Sequence, residues 1–157
     1  MNLKNWCLLS LLFIAAPLSA APDGIYTRSV DIAVDEAYTS LYAALEEQKF
    51  WVVFEADMGQ RMANMAERWG DDYNRQGLSA IKSMVFCNID WTNRIASVDP
   101  ALLALCPLHM SLYEKDGRTT ITMLRPSRIA AGSPGIDAAR ELEKQLIGVI
   151  DKAFSGD

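Results

Sequence analysis

Two strand-like runs joined by Asp116-Gly117 do most to limit how this chain can fold. Leu108 to Tyr113 alternates, with Leu108, Met110 and Leu112 facing one way and His109, Ser111 and Tyr113 the other. Arg118 to Leu124 (RTTITML) is β-branched again. An Asp-Gly pair between such runs favours a type I′ turn, because both central positions need positive φ. The hairpin fixes one antiparallel pair, and the rest of the chain must pack onto it.

Upstream, strand-like and helix-like patterns interleave. Ile25 to Ile32 (IYTRSVDI) suits a first strand. Asp35 is placed to cap a helix with Tyr38, Leu41, Tyr42 and Leu45 at i, i+3, i+4, i+7, and Lys49 at its end. Phe50 to Ala56 (FWVVFEA) is the strongest strand signal. Asp57 precedes a second helical stretch carrying Met58, Met62, Met65, Ala66 and Trp69 on one face, and Gly70 to Gly77 reads as a loop. Ala80 to Ile89 predicts another strand, Asp90 to Val98 a short helix, and Asp99-Pro100 the start of a further turn. After the hairpin, Ala130 to Gly135 is a small-residue loop. Asp137 then caps a last helix with Ala139, Leu142, Leu146, Val149, Ile150 and Ala153 on one stripe. This order predicts an α+β domain: a mixed sheet of about five strands with helices packed on it, ending in a β-hairpin and a C-terminal helix.

The N-terminus has a different character. Met1 to Lys4 is weakly positive, Cys7 to Ala16 (CLLSLLFIAA) is an uncharged apolar run, and Pro17 and Leu18-Ser19-Ala20 follow. This is the pattern of a secretory signal peptide, residues 1–20, cut between Ala20 and Ala21. Ten residues of helix rise about 15 Å, half of a bilayer's roughly 30 Å hydrocarbon layer. Residues 21–157 then make a single domain, expected to be soluble and periplasmic or secreted. The chain's net charge of −5 becomes −6 once Lys4 is removed. An acidic domain without a basic stretch does not suit non-specific nucleic-acid binding. With one His in the chain, a two-His metal site is excluded.

Val85 to Pro126 then carries a resemblance. Cys87-Asn88 ends a strand, Asp99-Pro100 follows, and Cys106-Pro107 opens the next strand. Tyr113-Glu114 precedes the Asp-Gly turn, and Arg125-Pro126 follows the hairpin. With Leu45 to Asp57 (LEEQKFWVVFEAD) upstream, the stretch from Val30 to Ile129 resembles the family of domain of unknown function 302. The chain departs from that pattern at Ile89, where the family usually has Pro. It also has Cys106-Pro107 where many members place Pro before the second cysteine. The resemblance implies an α+β domain and brings no catalytic mechanism with it.

Cys87 and Cys106 are the most informative pair. In an exported protein they suit a disulfide, which would close a loop of about 20 residues and contribute roughly 3 kcal/mol. They also suit two buried thiols or an acting thiol pair. If the strands that Cys87 ends and Cys106 begins run antiparallel, both residues share one edge. Their Cα atoms are then expected within about 7 Å. Cys106, His109 and Met110 are ligand types that copper favours, but alternation sends His109 and Met110 to opposite faces. The Met58, Met62, Met65 stripe suits core packing, with a soft-metal ladder or an adaptable binding surface as the alternatives. Asp57, Glu67, Asp71 and Asp72 read as a solvated helix end and loop. Ser79, Ser111 and Ser133 lack a nucleophile elbow, and Gly132-Ser133-Pro134-Gly135 lacks the Lys of a phosphate loop.

Two function classes follow. The first is a non-catalytic module for a small ligand or a periplasmic protein, with no cofactor assigned. Its groove is expected between the Met58 to Trp69 helix and the sheet, near Cys87 and Cys106, with Met58, Met62, Met65, Trp69, Trp91 and His109 as candidate lining. The second is thiol redox or copper or haem handling, with Cys87 and Cys106 as acting thiols and His109 as accessory ligand. Export is directly testable: N-terminal sequencing of the secreted protein is expected to begin at Ala21, and a retained Met1 would exclude the cleavage.

Overall fold

The Asp116-Gly117 turn forms as its sequence predicts. Both residues have positive φ (53° and 75°), and Lys115 faces Arg118 across a two-residue turn. The computed structural model describes residues 22–155. The expected signal peptide and its cut between Ala20 and Ala21 lie outside the described residues. The strands are β1 (Ile25–Val30), β2 (Trp51–Asp57), β3 (Ala80–Cys87), β4 (Leu108–Lys115) and β5 (Arg118–Leu124). The helices are α1 (Val34–Glu47), α2 (Met58–Ala63), α3 (Ala66–Trp69), α4 (Ile89–Val98), α5 (Pro126–Ile129) and α6 (Ile136–Ala153). Short 3₁₀ turns occupy Gly70–Asp72 and Pro100–Leu105.

The five strands form one sheet in the order β1-β5-β4-β3-β2. The α+β class and the strand count match the sequence reading. The mixed sheet does not: all four pairings are antiparallel. The parallel relation between β1 and β2 exists only across the width of the sheet, because the other three strands lie between them. Helices α1 and α6 pack on each other and on one face. Their buried residues meet Met84 and Phe86 of β3, Met110 and Leu112 of β4, and Ile121 and Met123 of β5.

Several helix starts differ from the sequence reading. Asp57 and Asp99, which the sequence placed only ahead of a helix and a turn, act as caps, accepting from Gln60 N (2.8 Å) and Ala101 N (3.0 Å). Asp35 does not cap α1, which begins at Val34; the Val34 amide donates instead to Glu114 Oε2 from β4 (2.8 Å). A side chain 80 residues away leaves no local signal. The last helix starts at Ile136, so Asp137 sits in its first turn rather than at its cap. The Met58 to Trp69 stretch is two short helices with no buried residue, so the methionine stripe is not core.

Phe86 is fully buried and meets Phe50 edge-on, with ring centroids 5.9 Å apart. Phe86→Ala is expected to lower stability by about 3–5 kcal/mol in a urea melt, since a buried ring leaves a cavity that the sheet cannot close. Glu143 on α6 is the main buried carboxylate. It accepts from Arg125 Nη1 (2.8 Å), Ser127 N (3.0 Å) and Ser127 Oγ (2.5 Å). Burial pushes its pKa up, but the bonds from Ser127 and Arg125 more than reverse this and hold it below the usual value. A carboxyl depressed in the fold adds stability above its unfolded pKa and loses it as pH falls through the folded one. Glu143→Gln is therefore expected to cost about 1–3 kcal/mol at neutral pH. It should also flatten the acid limb of the stability profile, read by urea melts from pH 7 to pH 3. An unchanged acid limb would exclude this role.

Candidate functional site

The expected groove is dispersed. A cleft of about 220 Å³ does open between α2 and the sheet, lined by Gly59, Gln60, Met62, Tyr73, Asn74 and Ile81. It lies at the Ala80-Ile81 end of β3, the opposite end from Cys87. Met62 is the one candidate lining residue that reaches it; Met58 and Trp69 are exposed and Met65 is half-buried. Trp91 belongs to the helix layer, where its Nε1 donates to Gln145 Oε1 at 2.7 Å and the Arg94 guanidinium stacks 4.8 Å from its ring. His109 is exposed on the other face of the sheet.

The metal candidates also separate. Met110 is buried against the helices, while His109 projects from the opposite face, as strand alternation requires. Among the described residues, no three His, Cys, Asp or Glu side chains are placed to share a metal ion. The serines bond elsewhere: Ser111 Oγ with Ser83 Oγ (2.7 Å), Ser79 Oγ with Glu114 Oε1 (2.9 Å), and Ser133 Oγ with Asp99 Oδ2 (2.5 Å). Tyr38 donates to Glu55 Oε2 at 2.7 Å, and burial, then that bond, raises its pKa and keeps the phenol protonated.

Cys87 and Cys106 do come together. The β3–β4 ladder is antiparallel and ends at Phe86 with Leu108, so the two cysteines lie just past the same end. Asn88 caps α4 by accepting from Trp91 N (3.0 Å), which starts the helix directly after Cys87. That turn carries Thr92 back to the cysteines. Its Oγ1 is 3.5 Å from Cys87 Sγ and 3.6 Å from Cys106 Sγ. The sulfurs therefore lie within about 7 Å, against about 2 Å in a disulfide bond. They are not bonded to each other, and both residues are half-buried. The sequence reading missed Thr92; a hydroxyl on the first helical turn after a cysteine was the available signal.

It also missed the surface of β2. Trp51 faces Cys87 and Phe54 faces Val85, with a register shift between Val52 and Phe54. In a regular strand, positions 51 and 54 point to opposite faces; one inserted residue puts both on the same face. That face is the one away from α1 and α6. Trp51 is 52% exposed, the bulged Val53 61% and Phe54 57%. Phe54, Val85 and His109 form a row across three strands, with Trp51 and Cys87 beside it.

Comparison with known proteins fits this architecture. A crystal structure of an uncharacterized conserved protein, DUF302, from Bacillus stearothermophilus aligns with a TM-score of 0.71 at 19% identity. The alignment covers 84% of this chain and 99% of that one, and shows a shared fold. No curated protein matches the sequence. The family described as domain of unknown function DUF302 matches residues 26–153, the sheet except for Ile25 and all six helices described above, and the chain belongs to that family.

Proposed function

We propose that the chain is a non-catalytic binding module, exported by its first 20 residues, that engages a partner protein through the exposed face at β2. One observation carries this reading: three large apolar side chains on one strand, Trp51, Val53 and Phe54, are each more than half exposed. Scattered single apolar residues on a surface need no explanation, but a clustered patch marks an interaction site. Aromatic anchors of this kind dominate protein interfaces.

The edge itself is blunted against strand addition. The Val52 amide is already satisfied by Glu46 Oε1 at 2.8 Å, and the bulge twists the strand. The partner therefore docks on side chains rather than by extending the sheet. The net negative charge of the exported domain favours an apolar segment flanked by Lys or Arg.

Panning a displayed random-peptide library against the wild type is expected to enrich apolar–basic sequences. The same library should give no such enrichment on Trp51→Ser/Phe54→Ser. Both side chains are exposed, so the double variant should keep its fold, checked by its melting temperature. Enrichment on both proteins, or on neither, sinks the assignment. Concentration-dependent self-association that the double variant abolishes would give the face to a second copy instead.

A further inference from the structure

We propose that Cys87 and Cys106 are a reversible dithiol–disulfide site, oxidised by exchange with a low-molecular-weight disulfide. Three features of the fold support it. The antiparallel ladder delivers both cysteines to the same end of the sheet. Both sulfurs lie within contact distance of one oxygen, Thr92 Oγ1, on a helix that starts immediately after Cys87. Both are half-buried, and the Cys87 side chain lies on the face of the sheet away from α1 and α6, where a small disulfide can approach. The segment between them, α4 and the Pro100–Leu105 turn, buries Ile95, Leu102 and Leu105. Because these side chains belong to the main core and hold the segment in place, the remaining gap closes by rotation of the two cysteine side chains with a local backbone adjustment at Cys87 and Cys106.

The exchange proceeds in two balanced steps. The Cys87 thiolate attacks one sulfur of the small disulfide, its S–S bond breaks, and one thiol leaves with the proton released from Cys87. The Cys106 thiolate then attacks the Cys87 sulfur, the mixed disulfide breaks, and the second thiol leaves with the Cys106 proton. Two protein thiols are oxidised and one disulfide is reduced to two thiols. Thr92 has a single hydroxyl hydrogen, shared between Asn88 O at 3.0 Å and Cys106 Sγ at 3.6 Å. Cys87, whose side chain lies on the open face of the sheet, is the sulfur that a small disulfide reaches first, which leaves the second, resolving attack to Cys106.

The test uses the full chain carrying Cys7→Ser, incubated with oxidised glutathione and read by intact mass and peptide mapping. The expected product has lost two hydrogens, links Cys87 to Cys106, melts at a higher temperature and is reopened by dithiothreitol. Adding Cys106→Ser should instead retain one glutathione on Cys87. Unreacted thiols, a stable glutathione adduct on both cysteines, or a cross-link that dithiothreitol fails to reopen would each overturn the proposal. The binding of apolar–basic peptides is a separate readout, so the fate of this site does not depend on the docking face.

Discussion

Because β1 and β2 run parallel at opposite edges of the sheet, the segment between them must cross every other strand on one face. Helix α1 has 14 residues, and at 1.5 Å per residue it spans about 21 Å. Four gaps of about 4.8 Å between five strands come to about 19 Å. The crossover is as long as the sheet is wide, and α1 touches β2, β3, β4 and β5 on its way. Its inner face, Ala37, Leu41, Ala44 and Leu45, is buried against them, and α6 packs alongside. Small residues at 37 and 44 let the helix lie close to the strands it crosses. The polar ties follow the same logic: Glu114 of β4 holds the start of α1, and Glu143 of α6 holds the chain as it leaves β5.

A core built on one face leaves the other face of the sheet to a different chemistry. Its central rows are hydroxyls paired across strands, Ser29 with Thr120 at 2.9 Å and Ser83 with Ser111 at 2.7 Å. Such pairs satisfy polar groups that alternation forces outward, and they stabilise the sheet modestly. The excursion from α2 through the Gly70–Asp72 turn adds no buried residue, so it does not build a second layer. Apolar side chains on this face are consequently left to solvent unless something else covers them. They concentrate at one end, around Trp51 and Phe54, and not over the hydroxyl rows.

What the sequence made legible was whatever depends on short-range spacing. The α6 stripe, the helix and turn starts after Asp57 and Asp99, and the positive-φ hairpin turn each need only a few neighbouring residues, and each formed. The errors arose where partners are distant. Nothing near Val34 reveals that Glu114 will receive its amide, so Asp35 was the natural cap to expect. Strand alternation along Leu108–Tyr113 gives facing but not pairing. The sheet could therefore be read as mixed until the strand order placed the parallel strands β1 and β2 at opposite edges. The methionine spacing at 58, 62 and 65 is helical, yet Asn64 ends α2 and breaks the stripe before Trp69. The cysteine pair was legible as a pair. Its third member, Thr92, needed the position of α4 to be known.

The bulge in β2 is where a single residue decides the most. FWVVFEA reads as one continuous apolar strand, and a fully regular one would send Trp51 and Phe54 to opposite faces. The shift between Val52 and Phe54 keeps Phe50 and Val52 against the core while turning Phe54 outward to join Trp51. It acts on the polar residue that follows as well. Glu55 now pairs with Met84, a core-facing position, which brings its carboxylate under α1 to accept the Tyr38 hydroxyl. In regular register Glu55 would stand on the open face and Phe54 would lie beneath the helix. The same insertion that exposes an aromatic patch thus anchors the crossover helix to the edge strand, so the patch is tied to the fold's main constraint rather than added to its surface.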